Sequence, residues 1–320
     1  MPRSAASSRI DTNIRPFADD VAYYLTLTPR QLPSQYLYDE LGSSLFEAIC
    51  RLPWYPITRT EQHLLQVHGR TVFDRLSALS TVVELGPGNG DKLVTLLSGH
   101  VRRDVTIHLV DVSAAALEKA TRALESRYAL PIAAHRATYE AGLSEIRRGS
   151  SSDPTLVLFL GSNIGNFDPP GADAFLRGVR AALRPGDVLL LGADLVKPET
   201  DLLLAYDDPL GVTAAFNRNL LVRVNRELGA DFEIDRFAHR AVWNDQESRV
   251  EMHLVSLEQQ RVRVDASEID FTLDADEAIW TESSYKYRID DVNGMLEQSG
   301  FKNIGQWVEN RFALTLGEAV

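Results

Sequence analysis

Cysteine is nearly absent from this sequence: Cys50 stands alone among 320 residues. An internal disulfide and a cysteine-based metal cluster are thereby excluded, and a reducing cytosol suits such a chain. Cys50 itself reads as a small buried apolar side chain. Long apolar runs are also missing. No stretch approaches the roughly 18 residues that a membrane-spanning helix needs. The opening segment "MPRSAASSRIDTNIRPFADD" lacks the apolar core of a signal peptide, and its first dozen residues read as a loose tail. A cytoplasmic protein with no membrane partner is expected. Positive charge is scarce as well, with 33 Lys and Arg against 45 Asp and Glu and a net charge of -12. Such a chain repels a phosphate backbone, and no segment gathers enough basic residues to reverse that, so nucleic acid is not an expected partner. No internal repeat is visible, and the short "GSSSDP" of residues 149 to 154 reads as a surface loop. The seven histidines, His63, His68, His100, His108, His135, His239 and His253, show no metal-ligand spacing. No metal is expected.

What is present is the composition of a folded protein, 44% hydrophobic and 24% charged, with length enough for two domains. Short apolar runs end in glycine, aspartate or polar residues: "TVVEL" (81–85), "VTIHLVDV" (105–112), "PIAAHRA" (131–137), "TLVLFLG" (155–161) and "DVLLLGAD" (187–194). Buried parallel strands read in this way. Amphipathic stretches lie between them, including "KLVTLLSGHV", "AAALEKATRALESRY" and "GADAFLRGVRAAL". The alternation predicts an α/β fold, a Rossmann-like doubly wound sheet with its ligand at the carboxyl ends of the strands.

After Lys197 the rhythm breaks into helices carrying aromatic and amide residues, then into antiparallel strands over "SRVEMHLVSLEQQRVRV" and "SEIDFTLDADE". The end, "FKNIGQWVENRFALTLGEA", returns to strand, turn and strand, suited to the edge of the parallel sheet. The expected organisation is an N-terminal helical segment over 1–59 that contributes to the active site, a Rossmann-like domain over 60–196 plus 286–320, and an inserted α+β substrate-binding domain over 197–285.

The stretch "STVVELGPGNGDK" (80–92) places three glycines at alternate positions between a strand and a helix. Glycine lets backbone approach a ligand closely, and a helix N-terminus attracts negative charge. A nicotinamide dinucleotide site reads G-x-G-x-x-G, whereas this loop is an acidic residue followed by glycines spaced two apart. The spacing favours S-adenosylmethionine. Asp111 ends the second strand 21 residues after Gly90, where an acceptor for ribose hydroxyls belongs. Glu84 reads equally as a strand-end carboxylate bonded to backbone and as a ligand contact. Lys92, at the helix start, is either a surface lysine or a partner for the ligand's carboxylate.

Taken together, "LYDELGSSLFEAICRLP", "TRTE", "VELGPGNGDK", "FLGSNIGNF", "LLLGADLVK", "AYDDPLGVTAAFNRNLL", "NRELGADF" and "TESSYKY" resemble the histidine-specific Nα-methyltransferases of ergothioneine biosynthesis. The similarity runs from about residue 30 to 317. It implies trimethylation of L-histidine to hercynine with S-adenosylmethionine as donor and S-adenosylhomocysteine as product. It also implies residue roles. Tyr38, Gly86, Gly88, Lys92 and Asp111, with Thr138 and Tyr139 near the adenine, fall at cofactor positions. Gly161, Asn166 and Tyr206 fall where the amino and carboxylate groups are held, and Tyr55, Met252, Glu282 and Ser284 fall around the imidazole. Two positions depart from the family pattern. Thr138-Tyr139 stands in place of Asp-Phe, keeping the aromatic wall and altering an acceptor, and Tyr55 is followed by Pro56 in place of a second tyrosine.

The chemistry is consistent with these roles. Methyl transfer from a sulfonium to an amine is an in-line displacement, so alignment matters more than a strong base. The amine must be neutral, which the Asn166 side chain and the Gly161 carbonyl favour and an adjacent carboxylate would not. Asn166, Gly161 and Tyr206 are therefore the candidates for the catalytic role. Tyr206 and Asn166 also serve as neutral donors to a carboxylate, and Glu282 with Ser284, two apart on a strand, share a face toward an imidazole. Other readings stay open on sequence alone: the same fold acting on another amino acid or small amine, a catalytically inactive cofactor-binding homologue, and a nicotinamide dehydrogenase, which the glycine spacing disfavours. The chain is expected to work as a monomer.

Overall fold

The computed structural model describes residues 14–76, 78–98, 105–149 and 153–320. The expected N-terminal tail and residues 150–152 of the expected loop at 149 to 154 lie outside the described residues. In chain order the elements are α1 (Arg15–Leu25), β1 (Arg30–Gln31), α2 (Glu40–Ile49), α3 (Ile57–Asp74), β2 (Thr81–Leu85), α4 (Asp91–Leu97), β3 (Thr106–Asp111), α5 (Ala114–Glu125), β4 (Ile132–Arg136), α6 (Tyr139–Gly149), β5 (Thr155–Phe159), α7 (Pro169–Ala182) and β6 (Val188–Asp194). There follow α8 (Glu199–Tyr206), α9 (Val212–Leu228), β7 (Phe237–Asn244), β8 (Arg249–Ser256), β9 (Gln260–Val264), β10 (Ile269–Leu273), β11 (Ala278–Tyr285), α10 (Ile289–Gln298), β12 (Phe301–Glu309) and β13 (Phe312–Ala319). Two compact units result. The core unit comprises Tyr55–Pro198, Asp245–Arg249 and Ser284–Val320, and the companion unit residues 14–54, Glu199–Asn244 and Val250–Ser283.

The core unit is a seven-stranded sheet in the order β12-β13-β6-β5-β2-β3-β4. Strands β2 to β6 pair in parallel, and β13 runs antiparallel to β6 from Phe312 opposite Asp194 to Glu318 opposite Val188. Every residue of β2, β5 and β6 is buried. Strands covered on both faces need continuous apolar runs, and "TVVEL", "TLVLF" and "VLLLGAD" supply them. Chain order reverses between β2 and β5, which places the switch point where Leu85 leads into Gly86 and Phe159 leads toward Gly161. Below it Phe159, Phe175 and Leu189 join one apolar core, with the Phe159 and Phe175 rings 4.3 Å apart. Helix α7 starts cleanly because Asp168 accepts the Gly171 N–H at 2.8 Å and prolines open its first turn.

The companion unit has a sheet in the order β1-β11-β8-β7 and a β9-β10 hairpin. Residues 14–54, within the helical segment expected over 1–59, group with this unit. Two residues explain it: Arg30 and Gln31 pair in parallel with Ile279 and Trp280 of β11. Asp39 reinforces the join. Its carboxylate caps α2 at the Gly42 N–H and takes Asn219 Nδ2 and Arg226 from α9, each at 2.7 Å. Burial alone would raise the Asp39 carboxyl, but these donors hold it below the usual carboxylate range. Among the described residues no helix is long and apolar enough to cross a membrane.

Candidate active site

The glycine loop adopts the conformation its sequence requires. Gly86, Gly88 and Gly90 have φ of 70°, 57° and 80°, the left-handed region that disfavours side chains. A Cβ on Gly86 would lie 2.9 Å from the Tyr139 hydroxyl and 3.3 Å from Asn163 Nδ2. A Cβ on Gly88 would meet nothing within 4 Å, so this backbone faces open space. Asp111, at the end of β3, accepts the Ser113 N–H at 2.8 Å, and burial raises its carboxyl against the lowering effect of backbone N–H groups. Tyr139 packs edge-on to Phe159 and Phe175. Burial, then Asp111 and Glu140, pushes its hydroxyl up, so it stays a donor at neutral pH. Exposed Thr138 accepts the Ala141 N–H at 3.4 Å, a local job at the start of α6 that accounts for a hydroxyl at this departure. Open glycine backbone, a strand-end carboxylate acceptor and an aromatic beside them are the groups that an adenosyl ligand needs, and the residues fit S-adenosylmethionine.

Glu84 lies fully buried at the end of β2, and its Oε2 has no hydrogen-bond partner. Burial pushes its carboxyl up to about 8, opposed by Lys92 and supported by Glu61 and Asp111. Lys92 is held by Glu61 of α3, Nζ to Oε2 at 2.8 Å. The same Glu61 carboxylate accepts the Gly161 N–H with both oxygens, at 2.7 and 2.9 Å. Gly161 has φ of 80° and Ser162 has φ of 58°, so the "GSNIGN" segment turns sharply before its short helical turn Asn163–Asn166. The turn is anchored from behind: the Tyr287 hydroxyl donates to the Ile164 carbonyl at 3.0 Å, and a Cβ on Gly165 would lie 2.7 Å from the Tyr285 carbonyl. Asn166 sits at the exposed end of the turn. Tyr55 is buried, and Pro56 follows it as the residue opening α3, where its fixed φ suits a helix start.

Ser284, also in the core unit, belongs to a buried ionic cluster. Its Oγ accepts from Lys286 Nζ at 2.8 Å, and that Nζ lies 3.1 Å from Asp194, which Lys197 meets at 2.6 Å. In the companion unit Met252 is buried in β8 and Glu282 in β11. Tyr206 ends α8 buried, with its carbonyl accepting from His239 Nε2 at 2.8 Å. His239 Nδ1 accepts from Asn217 Nδ2 at 3.0 Å, which fixes the tautomer carrying its proton on Nε2. Tyr38, half exposed, packs edge-on to Phe46 and Phe216.

Gly86, Lys92, Gly161 and Tyr139 are thus gathered at the switch point of the core unit, while Tyr38, Tyr206, Met252 and Glu282 lie in the companion unit. Sequence reasoning assigns no role to Glu61, Asn163, Asp194, Lys286 or His239, and "TRTE" and "GADLVK" carry the first and third as words without a chemical role. Among the described residues no group of three or more histidine, cysteine, aspartate or glutamate side chains is arranged to hold a metal ion.

Comparison with known proteins matches this arrangement to a single family. A family model described as histidine-specific, S-adenosylmethionine-dependent methyltransferase covers residues 17–319. A histidine N-alpha-methyltransferase of Mycobacterium tuberculosis (strain CDC 1551 / Oshkosh) is 42% identical over 305 residues, spanning 93% of each chain. Its counterpart in Mycolicibacterium smegmatis (strain ATCC 700084 / mc(2)155) is 41% identical over 91% of this chain and 90% of the relative. An L-tryptophan methyltransferase of Psilocybe serbica is more distant, 26% identical over 88% of this chain and 86% of its own. With the match running almost end to end, the chain belongs to the histidine-specific, S-adenosylmethionine-dependent methyltransferase family.

Proposed function

We propose that the protein methylates the α-amino nitrogen of L-histidine three times, giving the trimethylated betaine hercynine, a step of ergothioneine biosynthesis. The observation that carries the choice of acceptor is the pair Glu282 and Ser284, two apart on β11 and both at least nine-tenths buried. A carboxylate and a hydroxyl on one strand face are both able to bond an imidazole, which offers a nitrogen to each. An indole, as in the side chain of tryptophan, offers a single N–H to the pair where an imidazole offers two nitrogens. A site built for polar partners rejects an acceptor lacking them more strongly than an apolar pocket rejects a misfit.

S-adenosylmethionine supplies an already activated methyl group. The chain's own residues bind and orient. Asp111 takes the ribose hydroxyls, the Gly86–Gly88 backbone and Tyr38 line the cofactor, Lys92 offers charge to its carboxylate, and Tyr139 with Thr138 borders the adenine. On the acceptor side, Asn166 and the Gly161 carbonyl take hydrogen bonds from the amine, which leaves its lone pair for the methyl carbon. Tyr206 and Asn166 hold the carboxylate, Met252 and Tyr55 wall the ring, and Glu282 and Ser284 take its nitrogens. A nearly neutral amine pocket lowers the cost of shedding the ammonium proton to water. The reading includes a monomer working in the cytoplasm, and the net charge of -12 supports a small-molecule acceptor over nucleic acid.

Mass spectrometry of purified protein with S-adenosylmethionine and an equimolar mixture of the twenty amino acids tests this. Histidine should gain one, two and then three methyl groups while the others stay unchanged. Methylation of a different amino acid, or of none, would overturn the reading.

A further inference from the structure

One buried carboxylate touches both halves of the proposed chemistry. Glu61 has no solvent exposure, and burying an ion is costly unless its partners are well placed. Its partners here are Lys92, from the helix after the glycine loop, and the Gly161 N–H, from the loop after β5. Two glycines make room for the arrangement. A side chain on Gly192 of β6 would collide with Glu61 Oε1, and one on Gly161 would come within 2.5 Å of Lys92 Nζ. Three segments far apart in sequence have thus given up side chains or charge to accommodate one group, more than a helix-to-sheet packing contact requires.

We propose that Glu61 is a positioning residue that sets the cofactor-side ammonium of Lys92 and the acceptor-side backbone of Gly161 from a single carboxylate. This rests on the reading that Lys92 faces the cofactor and Gly161 the amino acid. Because the Gly161 N–H is pinned, the Leu160–Gly161 peptide plane is fixed, and through the Gly161 backbone angles, with φ of 80°, that anchor sets the next peptide's carbonyl, so Glu61 orients an acceptor for the amine without touching it. Because Lys92 is held at 2.8 Å, its charge is fixed before the cofactor arrives. Reactants must be aligned to within about 1 Å for efficient transfer, and a shared anchor is a direct way to fix one loop against another.

The two contacts separate chemically, and so does the test. In Glu61→Gln the amide oxygen still accepts the Gly161 N–H while Lys92 loses its ionic partner. Glu61→Ala removes both contacts. Calorimetry with S-adenosylhomocysteine should show binding weakened about tenfold in both variants, the scale of one charge-assisted hydrogen bond. For histidine, KM should stay within about twofold of wild type in Glu61→Gln, while kcat/KM falls about 100-fold in Glu61→Ala. Wild-type affinity for S-adenosylhomocysteine in both variants would overturn the proposal, as would equal losses of histidine use in the two, or a lowered Tm with unchanged ligand parameters. The calorimetric arm needs no acceptor. A wild-type protein that leaves histidine unmethylated would therefore refute the acceptor assignment alone and leave the Lys92 arm to be judged separately.

Discussion

The two units hold their functional groups in opposite ways. In the core unit the candidate groups sit at strand ends and depend on backbone conformation: Gly86, Gly88 and Gly161 at positive φ, with Glu84 next to the last position of β2 and Asp111 at the last of β3. In the companion unit they sit on element faces and are held by side chains from other elements, as Asn217 holds the His239 ring and His239 holds the Tyr206 backbone carbonyl. Strand-end loops obey local rules, because left-handed backbone demands glycine wherever it occurs. Face residues obey tertiary ones. The same comparison explains why a donor class emerges from glycine spacing while the proposed acceptor rests on side chains such as Glu282 and Ser284 and on what surrounds them.

If the core unit is the rigid partner, its buried ions should be the most costly groups to disturb. Asp194→Ala strands the fully buried Lys286 and leaves Lys197 unpaired, and it is expected to cost about 3–5 kcal/mol in denaturant unfolding. A loss below about 1 kcal/mol would break the comparison at its strongest point. Glu84 gives the next effect, through pH. Its carboxyl is raised from 4.5 to about 8, so the folded state holds a proton that the unfolded chain releases. Its stabilising contribution is complete below pH 4.5 and is lost as pH rises toward 8. Glu84→Gln should flatten that slope, and the difference between wild type and variant should shift by on the order of 2–4 kcal/mol between pH 5 and pH 8 in unfolding measurements. Parallel curves for the two proteins would exclude a buried, proton-holding Glu84. Gly86→Ala follows. It combines a φ of 70° with a Cβ 2.9 Å from the Tyr139 hydroxyl, and should weaken S-adenosylhomocysteine binding about 50-fold in calorimetry.

Much of the core unit is legible in the sequence, and the reason is local. The five apolar runs correspond to β2 to β6 within two residues at each end, and the central β2, β5 and β6, buried throughout, need their unbroken hydrophobic sequence. The closing β12-β13 hairpin is legible through its turn. What stays hidden is long-range. A two-residue strand at Arg30–Gln31 has no periodicity of its own, yet it assigns residues 14–54 to the companion unit. Asp194 and Lys286 are 92 positions apart, and nothing in "GADLVK" says which cation will reach the aspartate. Glu61 reads as one letter of a helical stretch, and its role depends on two glycines on other elements. Glu84 is the instructive intermediate case. Its place at the strand end was readable, but its unpartnered Oε2 and raised carboxyl come from burial that only the assembled sheet creates.

The smallest expected effect sharpens the comparison from the companion side. Burial lowers the His239 imidazole below its ordinary value, so it is neutral at pH 7 and donates from Nε2 to the Tyr206 carbonyl. Its other nitrogen is occupied by Asn217, whose amide also donates to the His253 carbonyl at 3.2 Å. Tyr206 ends α8, and two residues later the Asp208 carboxylate accepts N–H groups of Leu210, Val212 and Thr213 at the start of α9. His239 therefore holds the one end of this turn that Asp208 does not. A His239→Gln variant retains a donor at a different reach and should raise KM for histidine about fivefold, roughly 1 kcal/mol, with kcat within about twofold of wild type and no change in S-adenosylhomocysteine affinity. A matching fall in kcat would mean that Tyr206 acts in the transition state as well as in binding. Weakened cofactor affinity would mean instead that the His239 contact serves more than the amino-acid side, and the assignment of Tyr206 to the acceptor alone would fail.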